Sequence, residues 1–294
     1  LEAILLGGKL TKVAICYDFD GTLSAGNMQE YDFLPDLGIT PHDFWSAAQQ
    51  LSRQHGADPI LSYMKLMLDK AKASGTVEIT RQSFLEFGRT VKLFEGVETW
   101  FPRVNELARA QGLLLEHYII SSGLKEMIEG TSIKDQFKHI FACSFIYDEQ
   151  GVAQWPAMAI NYTTKTQFLF RINRAAFDLS SSAAVNGYIP KEQRPIPFSR
   201  FIYIGDGESD IPCMKLVKDK GGYSIAVHTP DRADKRQAAQ QLLEDRRVNF
   251  VSEANYGQGS RLEHLVSTIF NKIAAEEELA RCSGARGKPL ELPF

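Results

Sequence analysis

Five short apolar runs punctuate the chain, at residues 13–17, 113–120, 140–147, 201–204 and 223–227, each rich in Ile, Val, Phe and Tyr. Runs of that length bounded by polar turns predict strands buried on both faces, and helical patterns lie between them. Such alternation predicts an α/β fold with a doubly wound, mostly parallel sheet covered by helices. Between residues 26 and 95 no run reads as a strand. Thr40-Pro41-His42-Asp43 places an N-cap Thr before Pro at the first helical position, with Asp three residues after the cap. Asp58-Pro59 repeats the device, and Ile60, Met64, Met67 and Ala71 follow at helical spacing. Phe84, Phe87, Val91 and Phe94 form a third helical stripe. Stripes of this kind are first of all packing faces.

The chain therefore divides into a discontinuous α/β core, residues 1–25 and 96–294, interrupted after its first strand by an all-helical module, residues 26–95. Residues 179–197, rich in Ser and Pro, read as a long loop. After Asp231 come a charged helix, a short apolar run at 248–251 and an amphipathic helix over 262–273. The Gly- and Pro-rich tail from Ser283 predicts no further element.

Composition narrows the classes. Of 294 residues 44% are hydrophobic, enough to build a sizeable core and to exclude disorder as the main state. Lys plus Arg number 33 and Asp plus Glu 36, a net charge of −3, which carries no footprint for nucleic acid or an anionic membrane. No apolar run approaches the roughly 18 residues of a membrane span. Residues 1–10 are mildly apolar without a basic leader or clear cleavage site, which fits a trimmed chain better than a signal peptide. Cys16, Cys143, Cys213 and Cys282 have no short paired spacing, and the six histidines show no ligand pairing, so a reduced, cytoplasmic protein without zinc is expected.

Four local signals fall at or just past apolar runs, where open α/β sheets place their ligands. Asp18-Phe19-Asp20-Gly21-Thr22-Leu23 follows the first run: two carboxylates two apart, then a Gly that lets the chain turn. Taken alone, an acidic turn explains it too. Ile119-Ile120-Ser121-Ser122-Gly123 offers hydroxyls and free N–H groups to an anion, although a Ser helix cap fits equally. Thr164-Lys165-Thr166-Gln167 matches a capping box, which puts Lys165 against the positive end of a helix dipole and asks for an anionic partner. Gly205-Asp206-Gly207-Glu208-Ser209-Asp210 sets carboxylates four apart across a turn, an arrangement able to converge on a hard cation.

In this order and spacing the four signals resemble the motifs of the haloacid dehalogenase (HAD) superfamily, over roughly residues 12 to 275. The placement of the helical module is similar to that in its phosphoserine-phosphatase-like branch. The resemblance implies a Rossmann-like core, a cap inserted after the first motif, and Mg²⁺ as cofactor. It implies Asp18 as nucleophile, Asp20 as general acid and base, and Ser121, Ser122 and Lys165 as phosphate binders. It assigns the metal to Asp18, Asp206, the Asp20 backbone carbonyl and, in direct or supporting contact, Asp210. Dehalogenases of the superfamily generally lack an acid where Asp20 stands, so the resemblance favours a phosphomonoester phosphatase for a small soluble phosphorylated metabolite. A phosphomutase and a non-catalytic metabolite binder are the alternatives. Phosphoserine phosphatases carry an acidic residue where this chain has Asn27 and an Arg where it has Thr90, a departure that speaks against phosphoserine. Glu30, Tyr31 and Arg89 are candidate specificity residues.

Overall fold

The computed structural model describes residues 10–181, 183–190 and 193–283. From β1 (Thr11–Tyr17) the chain passes through α1 (Pro41–His55), α2 (Pro59–Ser74), α3 (Arg81–Arg89) and α4 (Val97–Ala110) before β2 (Leu113–Leu124). Then follow α5 (Lys125–Gly130), β3 (His139–Tyr147), β4 (Ala153–Met158), α6 (Lys165–Arg174), β5 (Phe201–Gly205), α7 (Ile211–Asp219), β6 (Tyr223–His228), α8 (Ala233–Glu244), β7 (Phe250–Glu253) and α9 (Arg261–Cys282). The seven strands form one sheet in the order β4-β3-β2-β1-β5-β6-β7. Neighbours run parallel except β3 and β4.

This is the doubly wound α/β core expected from the apolar runs. Val13 to Tyr17 in β1 are fully buried, as a central strand covered on both faces requires. The one polar atom this places in the core is satisfied: Trp100 Nε1–H donates to the Tyr17 hydroxyl at 2.9 Å, and His117 Nδ1 lies 3.1 Å from it. β1 pairs with β2 on one side and β5 on the other, so the chain reverses its winding at β1 and opens a crevice beyond the strand ends.

The insertion between β1 and α4 is helical, as expected. Thr40 Oγ1 accepts from Asp43 N–H at 3.1 Å, and Asp58 Oδ1 accepts from the N–H groups of Ile60 and Leu61 at 2.8 and 3.1 Å. The third stripe is only half a helix. α3 stops at Arg89, while Val91 and Phe94 pack from an extended return segment. That segment pairs with the outgoing one: Phe94 N–H donates to Leu23 O at 2.9 Å and Ala25 N–H to Lys92 O at 3.2 Å. The two passages between core and insertion thus brace each other. α3 is also pressed against α5, where a Cβ on Gly88 would strike the Met127 carbonyl and one on Gly130 the Leu85 carbonyl.

Two other expectations need correction. β4 carries no apolar run; it is an antiparallel edge strand in which Trp155 is exposed and Pro156 is tolerated because an edge can spare an N–H. The loop at 179–197 contains a helical turn at Ala183–Asn186. The tail beyond Ser283 lies outside the described residues. Among the described residues no helix is long and apolar enough to cross a membrane.

Candidate active site

Asp18 directly follows β1, and its N–H still donates to Ile204 O of β5 at 3.0 Å, so the carboxylate leaves from the sheet itself. The chain then turns tightly, with the N–H groups of Thr22, Leu23 and Ser24 all donating to Phe19 O. Gly21 makes the turn with φ of +75°, and a Cβ there would fall on the Asp206 carboxylate. The loops after β1 and β5 therefore approach each other only over a glycine. A Cβ on Gly205, at the end of β5, would likewise strike the Asp210 carboxylate.

At this meeting point Lys165 is fully buried. Its Nζ lies 3.1 Å from Asp18 Oδ1 and donates to Asp210 Oδ1 at 2.8 Å and to Ser209 Oγ at 3.1 Å. The Tyr203 hydroxyl donates to the same Asp210 oxygen at 2.7 Å. Burial alone would lower the lysine's pKa, but Asp18 and Asp210 beside it hold the ammonium firmly protonated.

One ammonium does not balance the carboxylates. Oxygens of Asp18, Asp206 and Asp210 all lie within 4.8 Å of one another. Burial, reinforced by Asp210, pushes the Asp18 carboxyl up to about 7 against the opposing pull of Lys165. Burial with Asp210 and Asp18 does the same to Asp206, again to about 7. A buried cluster with more negative than positive charge, built of hard oxygen donors, suits a divalent cation. Asp210 is the member already committed to Lys165 and Tyr203, so its first task is to hold the lysine.

Asp20 points elsewhere. Met28 N–H donates to its Oδ1 at 3.0 Å and the Ser24 hydroxyl to the same oxygen at 3.4 Å. Burial, then the neighbouring Asp18, raises its pKa well above the ordinary carboxyl value, which favours a form that can give up a proton. Ser121 and Ser122 sit where the pairing of β2 with β3 becomes irregular. Ser121 Oγ accepts from Gly123 N–H at 3.0 Å, and Ser122 Oγ is buried with no hydrogen-bond partner. Neither serine caps α5, whose capping position is Leu124. The capping box expected at Thr164 is also absent. Asn161 Oδ1 accepts from the N–H groups of Thr163 and Thr164, while Thr164 Oγ1 accepts from Asn161 N–H. The Asn161 side chain thus takes the place expected for Gln167.

These groups open into a cavity of about 250 Å³ reached by Asp18, Asp20, Asp206, Ser121 and Ser122. The insertion supplies its other wall: Asn27, Gln29, Trp45, Ile60 and Tyr63. Of the specificity residues expected from the sequence, none lines it. Glu30 instead accepts from Asn27 Nδ2 and Trp45 Nε1, Tyr31 donates to Lys92 O, and Arg89 ends α3 in solvent. Sequence reasoning missed Gln29, Trp45 and Tyr63, because only the packing of the insertion turns them toward the strand ends. A larger groove of about 880 Å³ runs between α2 and β4 past Leu61 and Trp155, and none of the clustered aspartates reaches it.

The haloacid dehalogenase-like hydrolase family matches residues 15–215, more than half of the chain. A relative from Borreliella burgdorferi, an uncharacterized protein, is 26% identical over 273 residues, spanning 85% of this chain and 93% of its own. Among solved structures, a HAD family hydrolase from Salmonella enterica serovar Typhi superposes with a TM-score of 0.55 at 17% identity, covering 88% of this chain and 72% of that one. A phosphoserine phosphatase carrying an analogue of its phospho-aspartyl intermediate gives 0.51 at 14% identity, over 88% and 99%. Similarities at that identity speak for the fold, and the helices inserted after the first strand fit it. The chain belongs to the haloacid dehalogenase-like hydrolases, with the fold of their phosphoserine-phosphatase-like branch.

Proposed function

We propose that this hydrolase is a Mg²⁺-dependent phosphomonoester phosphatase acting on a small soluble phosphorylated metabolite. The observation that carries the reading is the meeting of Asp18, Asp206 and Asp210 around buried Lys165, with Asp20 held apart by Met28. A buried carboxylate nucleophile can approach a phosphate only where negative charge is offset nearby. Asp18, Asp206 and the Asp20 carbonyl would hold Mg²⁺, supported by Asp210. Bound there, the cation offsets the charge of the phosphoryl group and draws electrons from phosphorus.

The chain's own residues supply the rest. Asp18 attacks phosphorus and forms an aspartyl phosphate, while the bond to the leaving alkoxide breaks and Asp20 gives that oxygen its proton. Asp20, now ionised, takes a proton from the water that hydrolyses the aspartyl phosphate and returns Asp18. Lys165, Ser121 and the Ser122 N–H hold the phosphoryl oxygens. The insertion serves as a cap: Asn27, Gln29, Trp45, Ile60 and Tyr63 leave room for a small leaving group and none for a folded protein. The buried thiols of Cys16, Cys143 and Cys213 suit a reducing cytoplasm.

Phosphate release from an aryl phosphate is the test. Purified chain should turn it over with Mg²⁺, stop with chelator, and lose turnover as Asp18→Asn. Full activity in that variant would rule the reading out.

A further inference from the structure

We propose that Gln29 selects the alcohol released by this site, and that the alcohol is uncharged and bears hydroxyl groups of its own, as in a polyol or sugar monophosphate. The inference rests on the phosphatase reading and goes beyond it to the class of leaving group. It starts from an unmet need. Gln29 is 1% exposed, lines the cavity, and its Oε1 has no hydrogen-bond partner. A buried amide oxygen left unpaired is costly, so a donor delivered by a ligand is the economical explanation.

The position is fixed. Gln29 lies in a helical turn, Met28–Glu30, whose first N–H donates to Asp20, the group assigned to protonate the leaving oxygen. Met28 is itself wedged beneath Gly123, where a Cβ would strike its methyl group. Gln29 therefore follows directly on the residue that holds the proton donor, and both line the one cavity.

The other side-chain donors of this wall are already engaged. Asn27 Nδ2 and Trp45 Nε1 both donate to Glu30, at 2.5 and 2.7 Å, and the Tyr63 hydroxyl donates to Ser122 O. Of this wall's side chains Gln29 is the one with a buried polar atom, Oε1, that has no partner. An amide both donates and accepts without carrying charge, which matches a hydroxyl. The cavity lining contains Asp18, Asp20 and Asp206 and no Lys, Arg or His side chain. A leaving group with a carboxylate, such as serine, would meet several anions there, while the Lys165 ammonium behind them is engaged with Asp18 and Asp210 and the phosphoryl group. An ammonium group would find aromatic faces, but from Gln29 only an acceptor, and the carboxylates are committed to the cation and to proton transfer.

The test compares kcat/KM of the full chain with Mg²⁺ for glycerol 3-phosphate and erythritol 4-phosphate against phosphoserine and phosphoethanolamine, after turnover of 4-nitrophenyl phosphate has been established. The hydroxylated substrates should lead by tenfold or more. Gln29→Met should erase that lead, chiefly through KM. Gln29→Glu, similar in size, should move the preference toward phosphoethanolamine. Thermal melting confirms that each variant folds. In the Asp18→Asn background, glycerol 3-phosphate should raise the melting temperature, and Gln29→Met should abolish the rise. Equal or better use of phosphoserine or phosphoethanolamine by the native chain overturns the inference while leaving the phosphatase reading intact, as does an unchanged preference in both variants. Failure to hydrolyse 4-nitrophenyl phosphate overturns the phosphatase reading, and the inference with it.

Discussion

The Tyr63 hydroxyl, on a helix of the insertion, donates to the Ser122 carbonyl at the end of β2 across 2.6 Å. The Cys143 thiol donates to the same oxygen at 3.3 Å. Two donors from separate parts of the chain thus fix the carbonyl of Ser122, the residue whose N–H is proposed to bind the phosphoryl group. The insertion is thereby tied to the end of β2 that faces the cavity.

Removing that hydroxyl in Tyr63→Phe keeps the ring and its edge-to-face packing on Trp45. Loss of one hydrogen bond should cost about 1 kcal/mol of stability. Because the Ser122 peptide is then held by Cys143 alone, kcat/KM should fall by roughly tenfold, an effect of about 1.4 kcal/mol on the barrier. Steady-state kinetics beside a denaturant melt separates the two losses. A variant with native kcat/KM would show that the contact is structural only.

Lys165→Met leaves Asp18 and Asp210 buried without their shared cation. Breaking a buried ion pair from one side typically costs about 3–5 kcal/mol. The variant should be strongly destabilised without metal and partly rescued by Mg²⁺, which supplies positive charge to the same carboxylates. Melting with and without Mg²⁺ reads this directly. A melting temperature equal to the native one would contradict the charge balance described above.

The raised carboxyls give a pH dependence of definite sign. A group whose folded pKa exceeds its unfolded value stabilises below the unfolded pKa and loses that stabilisation as pH rises through the folded one. For Asp206, near 3.8 unfolded and about 7 folded, metal-free protein should gain stability as pH falls from 8 to 6. The gain is on the order of 1 kcal/mol for one such group. His117, pushed down to about 3 by burial, acts in the opposite sense below its ordinary value of 6.5. The comparison is therefore between native chain and Asp206→Asn, which share His117. The native chain should gain more on acidification, and Mg²⁺ should raise its melting temperature more at pH 8 than at pH 6, since protons compete for the same oxygens. Parallel pH curves for the two proteins would contradict the assignment.

Gly88→Ala puts a methyl group against the Met127 carbonyl where α3 meets α5. Backbone cannot yield there without parting the helices, so a loss of about 1–3 kcal/mol is expected despite alanine's better helix propensity. Chemical denaturation measures it. A neutral or stabilising result would mean that the α3–α5 contact opens freely.

How much of this was legible beforehand depends on what each residue's signal rests upon. The meeting of Asp18 and Asp206 is legible because each stands at or just past an apolar run, and strand ends gather in parallel sheets whatever the details of packing. The N-caps at Thr40 and Asp58 are local chemistry and were read correctly. Thr164 was not, because Asn161 competes for the same N–H groups from outside the tetrapeptide considered. β4 escaped notice since an exposed edge strand with Pro156 has no need of an apolar run. Val91 and Phe94 mimicked helical spacing from an extended segment, their burial being set by the pairing of residues 92–94 with 23–25. Gln29 and Tyr63 face the site only through the fold of the insertion. No spacing in the sequence marks them.

The central claim is that Asp18 carries the phosphoryl group. Quenching the chain during steady turnover of an aryl phosphate with Mg²⁺, reducing the acyl phosphate with borohydride and mapping the product by mass spectrometry tests it most directly. Homoserine is expected in place of aspartate at position 18, dependent on substrate and absent after chelation. Reduction at another residue, or continued turnover with Asp18 never modified, would contradict it.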